Sequence, residues 1–235
     1  MDNRVYYLGH SAWAVETPAC YMLFDCQDEN VKKGGTLQQG YLDLALLNAK
    51  PVYMFYSHSH HDHYSPKLHR ESHETGRGCT VLGGFKSPLA NTVTLLPHEK
   101  KDLGLFTVYT AASTDAGVCF FIKTDGLGIF FAGDHADWGD GDPANKIYYK
   151  EMDYIAALNL KTDFAFIPVC TYSGKRPGDM TKGAVYAITA LKPAVTFPMH
   201  GNGNEYLYGD FYKDFLKTNH DFKIVCASQK GMVDF

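Results

Sequence analysis

The sequence predicts an α/β protein built as a two-sheet sandwich. Short apolar runs separated by turn residues form a meander early in the chain and later alternate with segments of helical period. A length of 235 residues is long for one small core but ordinary for a two-sheet sandwich, so a single domain over 1–235 is expected. Hydrophobic residues at 45% and charged residues at 20% are the proportions of a globular enzyme.

Taken in order, the meander places strands at 4–8, 12–16 and 20–25, the first beginning within four residues of the start. A helix is expected over 39–48. The run Val52-Tyr53-Met54-Phe55 makes a strand at 52–56, followed by a helix at 66–75. Strands follow at 79–83, 105–110, 117–123 and 128–133, the last running into a Gly-Asp turn at Gly133-Asp134. The α/β units then give a helix at 150–160, a strand at 164–168, a helix at 181–191 stopped by Lys192-Pro193, and a strand at 195–199. A helix at 207–218, with Phe211, Phe215 and Leu216 at core spacing, precedes a strand at 223–227. Residues 28–40, containing Gly34-Gly35, and the Asp/Gly-rich stretch 137–145 read as loops flanking a site.

The densest chemistry lies in Ser57-His58-Ser59-His60-His61-Asp62-His63, four histidines and an aspartate directly after the 52–56 strand. Imidazole and carboxylate are the ligands that first-row divalent metals prefer. The pattern His-x-His-x-Asp-His at His58, His60, Asp62 and His63 resembles the metal-binding signature of the metallo-β-lactamase superfamily of hydrolases. Alternate residues of an extended segment point the same way, so His58 and His60 can grip one metal while Asp62 and His63 reach a second.

The resemblance extends along nearly the whole chain. It implies a four-layer αββα sandwich of two mixed sheets, and it implies that Asp134 bridges both metals and His200, at the end of the 195–199 strand, completes the second site. The opening Gly9-His10-Ser11, the segment Phe166-Ile167-Pro168-Val169 with Tyr172, and Met180-Thr181 resemble the ascorbate-6-phosphate lactonase-like branch. One departure stands out. The superfamily places a histidine midway between the first motif and the bridging aspartate, and this chain has none there; Asp115, Ser113 or Thr114, water, or His135 are the replacements on offer.

Four further residues are candidates for supporting the ligands or touching substrate. Asp25, at a strand end, can hold the far ring nitrogen of a metal-binding histidine. His10 can line the pocket floor. His135 adjoins the bridging aspartate. Tyr172, with Lys175 and Arg176 close by, can bind an anion. Asp25 also has an ordinary explanation as a turn aspartate, His10 as a partly buried histidine bonded to backbone, and the Lys175-Arg176 pair as surface charge.

The implied cofactor is one or two divalent ions, Zn2+ first, with Mn2+ or Fe2+ as alternatives because an oxygen-rich first site is less selective for zinc. The implied reaction is hydrolysis of a small, anionic ester, lactone or phosphodiester by metal-bound hydroxide, with Asp62 as ligand and proton acceptor. The first alternative is a degenerate metal-binding protein of the same fold, and the last is a di-iron oxidoreductase of that fold, disfavoured because that branch commonly has Glu where this chain has His60. A net charge of −4 argues against a nucleic-acid partner, and no run of eighteen apolar residues argues for a membrane. Six cysteines without Cys-x-x-Cys spacing and the absence of a leader suggest a cytoplasmic protein with free thiols. Oligomeric state and substrate identity are not legible.

Overall fold

A computed structural model of the chain describes residues 3–124, 126–139, 141–170, 178–218 and 221–235. Two mixed sheets face each other. The first has seven strands: β1 (Arg4–Gly9), β2 (Ala12–Glu16), β3 (Tyr21–Phe24), β4 (Val52–Tyr56), β5 (Thr80–Gly83), β6 (Thr92–Leu95) and the terminal Gly231–Val233. The second has six: β7 (Lys100–Asp102), β8 (Thr107–Ala112), β9 (Val118–Lys123), β10 (Gly128–Phe131), β11 (Phe164–Pro168) and β12 (Val195–Met199). With Gly231–Val233 as β13, the orders are β13-β1-β2-β3-β4-β5-β6 and β12-β11-β10-β9-β8-β7. Strands β3 to β6 run parallel, as do β10, β11 and β12; the remaining neighbours are antiparallel.

The two faces of the first sheet are both buried, which is why its strands read as nearly continuous apolar runs. Val5, Tyr7, Trp13, Phe24 and Phe55 face the second sheet, whereas Tyr6, Leu8, Leu23, Met54 and Tyr56 face outward into a second cluster with Leu68 of α1 (Pro66–Thr75). Aromatic pairs join the sheets: Phe24 lies 4.7 Å from Phe131, Trp13 lies 5.0 Å from Phe166, and Phe55 lies 5.6 Å from Phe120, centroid to centroid. Helices α2 (Asn145–Ala157) and α3 (Gly178–Leu191) pack on the second sheet, and Phe211 and Phe215 of α4 (Tyr206–Leu216) enter the same core. Helix α1 begins where Ser65 accepts the backbone N–H of Leu68 and ends at Gly76 in the left-handed region, φ 62°.

The expected helix at 39–48 does not form. Gly40 has φ 74°, Asp43 accepts the N–H of Ala45, and the segment becomes two short turns, Leu37–Gln39 and Leu44–Leu46. The expected strand at 223–227 reduces to one bridge between Ile224 and Thr196. Strands β6, β7 and β13 were not anticipated. Among the described residues no helix is long and apolar enough to cross a membrane. None of the six cysteines forms a disulfide among the described residues.

Candidate metal centre

Every candidate site residue in the described chain, His135 excepted, comes from one edge of the sandwich. His10 follows β1, Asp25 follows β3, Ser57 to His63 follow β4, Asp115 lies in the β8–β9 turn, Asp134 follows β10, and His200 follows β12. Backbone strain concentrates here: His10, Asp25 and His200 have φ of 52°, 43° and 73°. Two glycines let the segments close on the histidine loop. A Cβ on Gly117 would sit 2.0 Å from the Ser57 carbonyl oxygen, and one on Gly133 would sit 2.4 Å from the Ser57 Cβ.

Asp134 stands between two sets of donors. Its Oδ1 lies 3.2 Å from His63 Nε2 and 3.4 Å from His200 Nε2, while its Oδ2 lies 3.7 Å from His58 Nε2. On the His58 side, Asp115 Oδ2 lies 3.7 Å from His58 Nε2 and 3.1 Å from His60 Nδ1. On the other side, Asp62 Oδ2 lies 3.8 Å from His63 Nε2. Ligands about 2.0–2.1 Å from a tetrahedral metal are separated by about 3.4 Å, so both sets are spaced as the corners of a metal-sized polyhedron. Among the described residues, His58 Nε2, His63 Nε2 and Asp134 Oδ1 are buried without a hydrogen-bond partner. Buried polar atoms seldom remain so unless a missing ligand satisfies them. The donor set fits divalent metal ions at both places.

The far sides of the rings are held. Asp25, fully buried, accepts from His63 Nδ1 at 2.7 Å, from the Ser57 hydroxyl at 2.7 Å and from the Ser57 N–H at 2.7 Å. Because the Ser57 proton is committed to Asp25, its oxygen accepts from His58 Nδ1 at 2.9 Å. His200 Nδ1 donates to the Cys170 carbonyl at 2.8 Å. Three histidines are thereby fixed with Nε2 as the available lone pair. Without metal, burial and the neighbouring His63 hold His58 below the usual imidazole range. Burial alone would lower His63 too, but the carboxylates of Asp134 and Asp25 raise it well above that range. Asp62 and Asp134 resist the upward push of burial: His10 and His63 hold the first below the usual carboxylate range, and His63 and His200 hold the second well below it. Both remain charged.

Asp115 occupies the region where the missing histidine was sought. Thr114 does not turn to it: its hydroxyl donates to the Ala136 carbonyl at 2.8 Å and accepts from Ala136 N–H at 2.9 Å and Trp138 Nε1 at 3.1 Å, tying the β8–β9 turn to the segment after Asp134. Ser113 accepts from the Asp115 N–H at 3.3 Å. His135 is not brought to the cluster. The turn after β10, closed by His135 N–H on the Ala132 carbonyl, sends its ring against Tyr148 of α2 at 4.7 Å, where burial pushes it down to about 3. Tyr172, Lys175 and Arg176 lie outside the described residues.

A cavity of about 640 Å³ covers the cluster, a size that holds a small molecule. His60, Asp62, Asp115, Asp134 and His200 form its floor and Trp138 one wall. Trp138 is braced by Thr114 and by Asn145, which accepts its backbone N–H at 3.0 Å. Sequence reasoning missed Ser57, the bracing role of Thr114, and Trp138. Only Ser57 carried a signal, its position beside the first candidate ligand, His58.

No family model matches the chain. A UPF0173 metal-dependent hydrolase of Opitutus terrae is 24% identical over 96% of this chain and 98% of that protein. Among solved structures, a metallo hydrolase from the archaeon Ignicoccus hospitalis superposes with a TM-score of 0.65 at 19% identity, covering 99% of this chain and 98% of the other. The metallo-β-lactamase fold protein YhfI of Bacillus subtilis gives 0.61 at 12% identity, with all of both chains covered. CmlA, a diiron β-hydroxylase of Streptomyces venezuelae, gives 0.62 at 13% identity over all of this chain and 54% of that one.

Proposed function

We propose that this chain, whose fold is that of the metallo-β-lactamases, is a metal-dependent hydrolase acting on a small anionic ester, lactone or phosphodiester. The observation that carries the reading is Asp134, whose two oxygens are divided between two unsatisfied, metal-sized sets of donors. His58, His60, Asp115 and Asp134 would hold one ion; Asp62, His63, Asp134 and His200 would hold the other. Divalent ions supply Lewis acidity and bring the pKa of a bound water towards about 7.

The protein's own part is orientation and charge. Asp25, Ser57 and the Cys170 carbonyl fix the three buried rings, so the donors do not reorganise during turnover. Asp62, ionised and at the cavity floor, can orient a nucleophile and accept its proton. Trp138 shields one side from water. With two divalent ions, the three carboxylates Asp62, Asp115 and Asp134 leave the floor without net negative charge even after a bound water ionises, so an anionic substrate is not repelled. The segments around Gly9-His10-Ser11 and Phe166-Ile167-Pro168 make the ascorbate-6-phosphate lactonase-like branch the first place to search for it.

The test is turnover by protein loaded in turn with Zn2+, Mn2+ or Fe2+ on phosphodiesters, lactones and thioesters, beside Asp62→Asn. Hydrolysis of one class that Asp62→Asn abolishes is expected. Metal binding without turnover on any of them would instead make the chain a degenerate member of the fold.

A further inference from the structure

The geometry points to His10 as a direct ligand of the ion held by Asp62, His63, Asp134 and His200, and we propose it as the fifth protein donor of that site. The inference rests on the two-site reading above.

His10 lies at the other end of the chain from His200, which meets it only through the fold, and it is placed with care. The register of β1 against β2 shifts between Tyr7 and Gly9, Gly9 takes φ 115°, and His10 takes φ 52°. The His10 carbonyl accepts the N–H of His200 at 3.2 Å, so the two residues are locked together at their backbones. The His10 ring is buried, with its centroid 4.5 Å from that of His200 and 5.3 Å from that of His63.

The direction of the ring decides its role. Groups that merely support a metal-binding histidine meet its far nitrogen, as Asp25, Ser57 and the Cys170 carbonyl do at Nδ1. His10 does the opposite. Its Nε2 lies 3.4 Å from Asp62 Oδ2, the same oxygen that faces His63 Nε2. One ligand atom from each of His10, His63 and His200 can be chosen so that all three lie within 4.8 Å of one another. Donors about 2.1 Å from one ion are separated by about 3.0 Å when adjacent and about 4.2 Å when opposite, so the three rings can share a single ion.

The consequence is chemical. Three imidazoles and two carboxylate oxygens make a five-donor site, which suits ions that accept five or six ligands better than tetrahedral zinc. The first site, with two imidazoles and the half-exposed Asp115, is smaller and more open. The two sites should differ in metal preference, the His10 site being the tighter.

Co2+ distinguishes the possibilities, because its visible absorption reports coordination number. Wild type, His10→Gln and His10→Gly are titrated with Co2+ while heat of binding and the spectrum are followed. Glutamine keeps a hydrogen-bond donor for Asp62 but replaces the imidazole; glycine accepts φ 52° without strain and leaves room for added imidazole. Both variants should lose about tenfold or more in affinity at one of two sites, with a changed spectrum for that ion, and imidazole should restore the spectrum of His10→Gly. Two Co2+ bound by His10→Gln with wild-type affinity and spectrum would overturn the assignment and leave His10 as a hydrogen-bond partner of Asp62. A wild type that binds no Co2+ would overturn the two-site reading beneath it, and the assignment with it.

Discussion

Asp25 is the buried residue on which the proposed metal centre most depends without being one of its proposed ligands. It carries three hydrogen bonds of 2.7 Å, two of them on Oδ2 from His63 and the Ser57 hydroxyl. Asp25→Asn is nearly isosteric but places an N–H2 where one of those oxygens was. If the amide nitrogen takes the Oδ2 position, it confronts two donors and both bonds fail. If it takes the Oδ1 position, it confronts the Ser57 N–H. Hydrogen bonds to a charged group contribute about 1.5–3 kcal/mol each, so one or two lost bonds cost about 2–6 kcal/mol before relaxation. His63 is then free to protonate Nε2 instead of Nδ1, which removes its lone pair from the metal. Loss of such a supporting group weakens metal binding about tenfold to a hundredfold. Competition against a chromophoric chelator measures the affinity, and thermal melting with and without metal measures the stability. Ser57→Ala is the internal control, since it releases His58 and should impair chiefly the first site. Metal affinity of Asp25→Asn within about threefold of wild type would refute the reasoning, because the tautomer of His63 would then need no anchor.

Three further outcomes are expected. Gly117→Ala forces a Cβ to within 2.0 Å of the Ser57 carbonyl in a residue at φ 67°, so a loss of about 2 kcal/mol or more in chemical denaturation is expected, with weakened metal binding. Thr114→Val removes the hydroxyl that ties the Asp115 turn to Ala136 and Trp138, so isothermal titration should show a weaker first site and an unchanged second. Glu16 is held below its usual range, because the bonds to Lys50 at 2.7 Å and Tyr6 at 2.8 Å outweigh the upward push of burial. A depressed carboxyl adds stability above its unfolded pKa and loses it as pH falls through the folded value, so Glu16→Gln should be less stable than wild type at neutral pH and converge with it as the pH is lowered through the acid range in denaturant titrations.

The sheets were legible because both faces of their central strands are buried, giving apolar runs such as 52–56 and 118–123 that no helix of that length would need. Strands β6, β7 and β13 are short, and their pattern is partly or wholly exposed, so pairing rather than composition makes them strands. The leucines of 42–47 mimic a helix, but Leu42 is claimed by a bridge to Val31 and Gly40 breaks the run. In the candidate site, His58, His60, Asp62 and His63 were readable by spacing, and Asp134 and His200 by strand ends and resemblance, and the fold brings all six to one edge. Asp115 was one of several candidates, since a turn gives no direction to its side chains. Contacts made by the fold alone, such as His10 on His200 or Thr114 on Trp138, leave no local pattern. His135 was a fair candidate by adjacency, but the turn that points Asp134 at the histidines points its neighbour into the helix layer.

The most direct measurement is a metal-soaked crystal with anomalous diffraction recorded on either side of the metal's absorption edge. Two peaks should appear, one between His58, His60 and Asp115 and one between Asp62, His63 and His200, with Asp134 giving one oxygen to each. A lone peak touching none of these histidines, or an Asp134 whose oxygens contact no ion, would contradict the assignment of this edge as a two-metal hydrolytic centre.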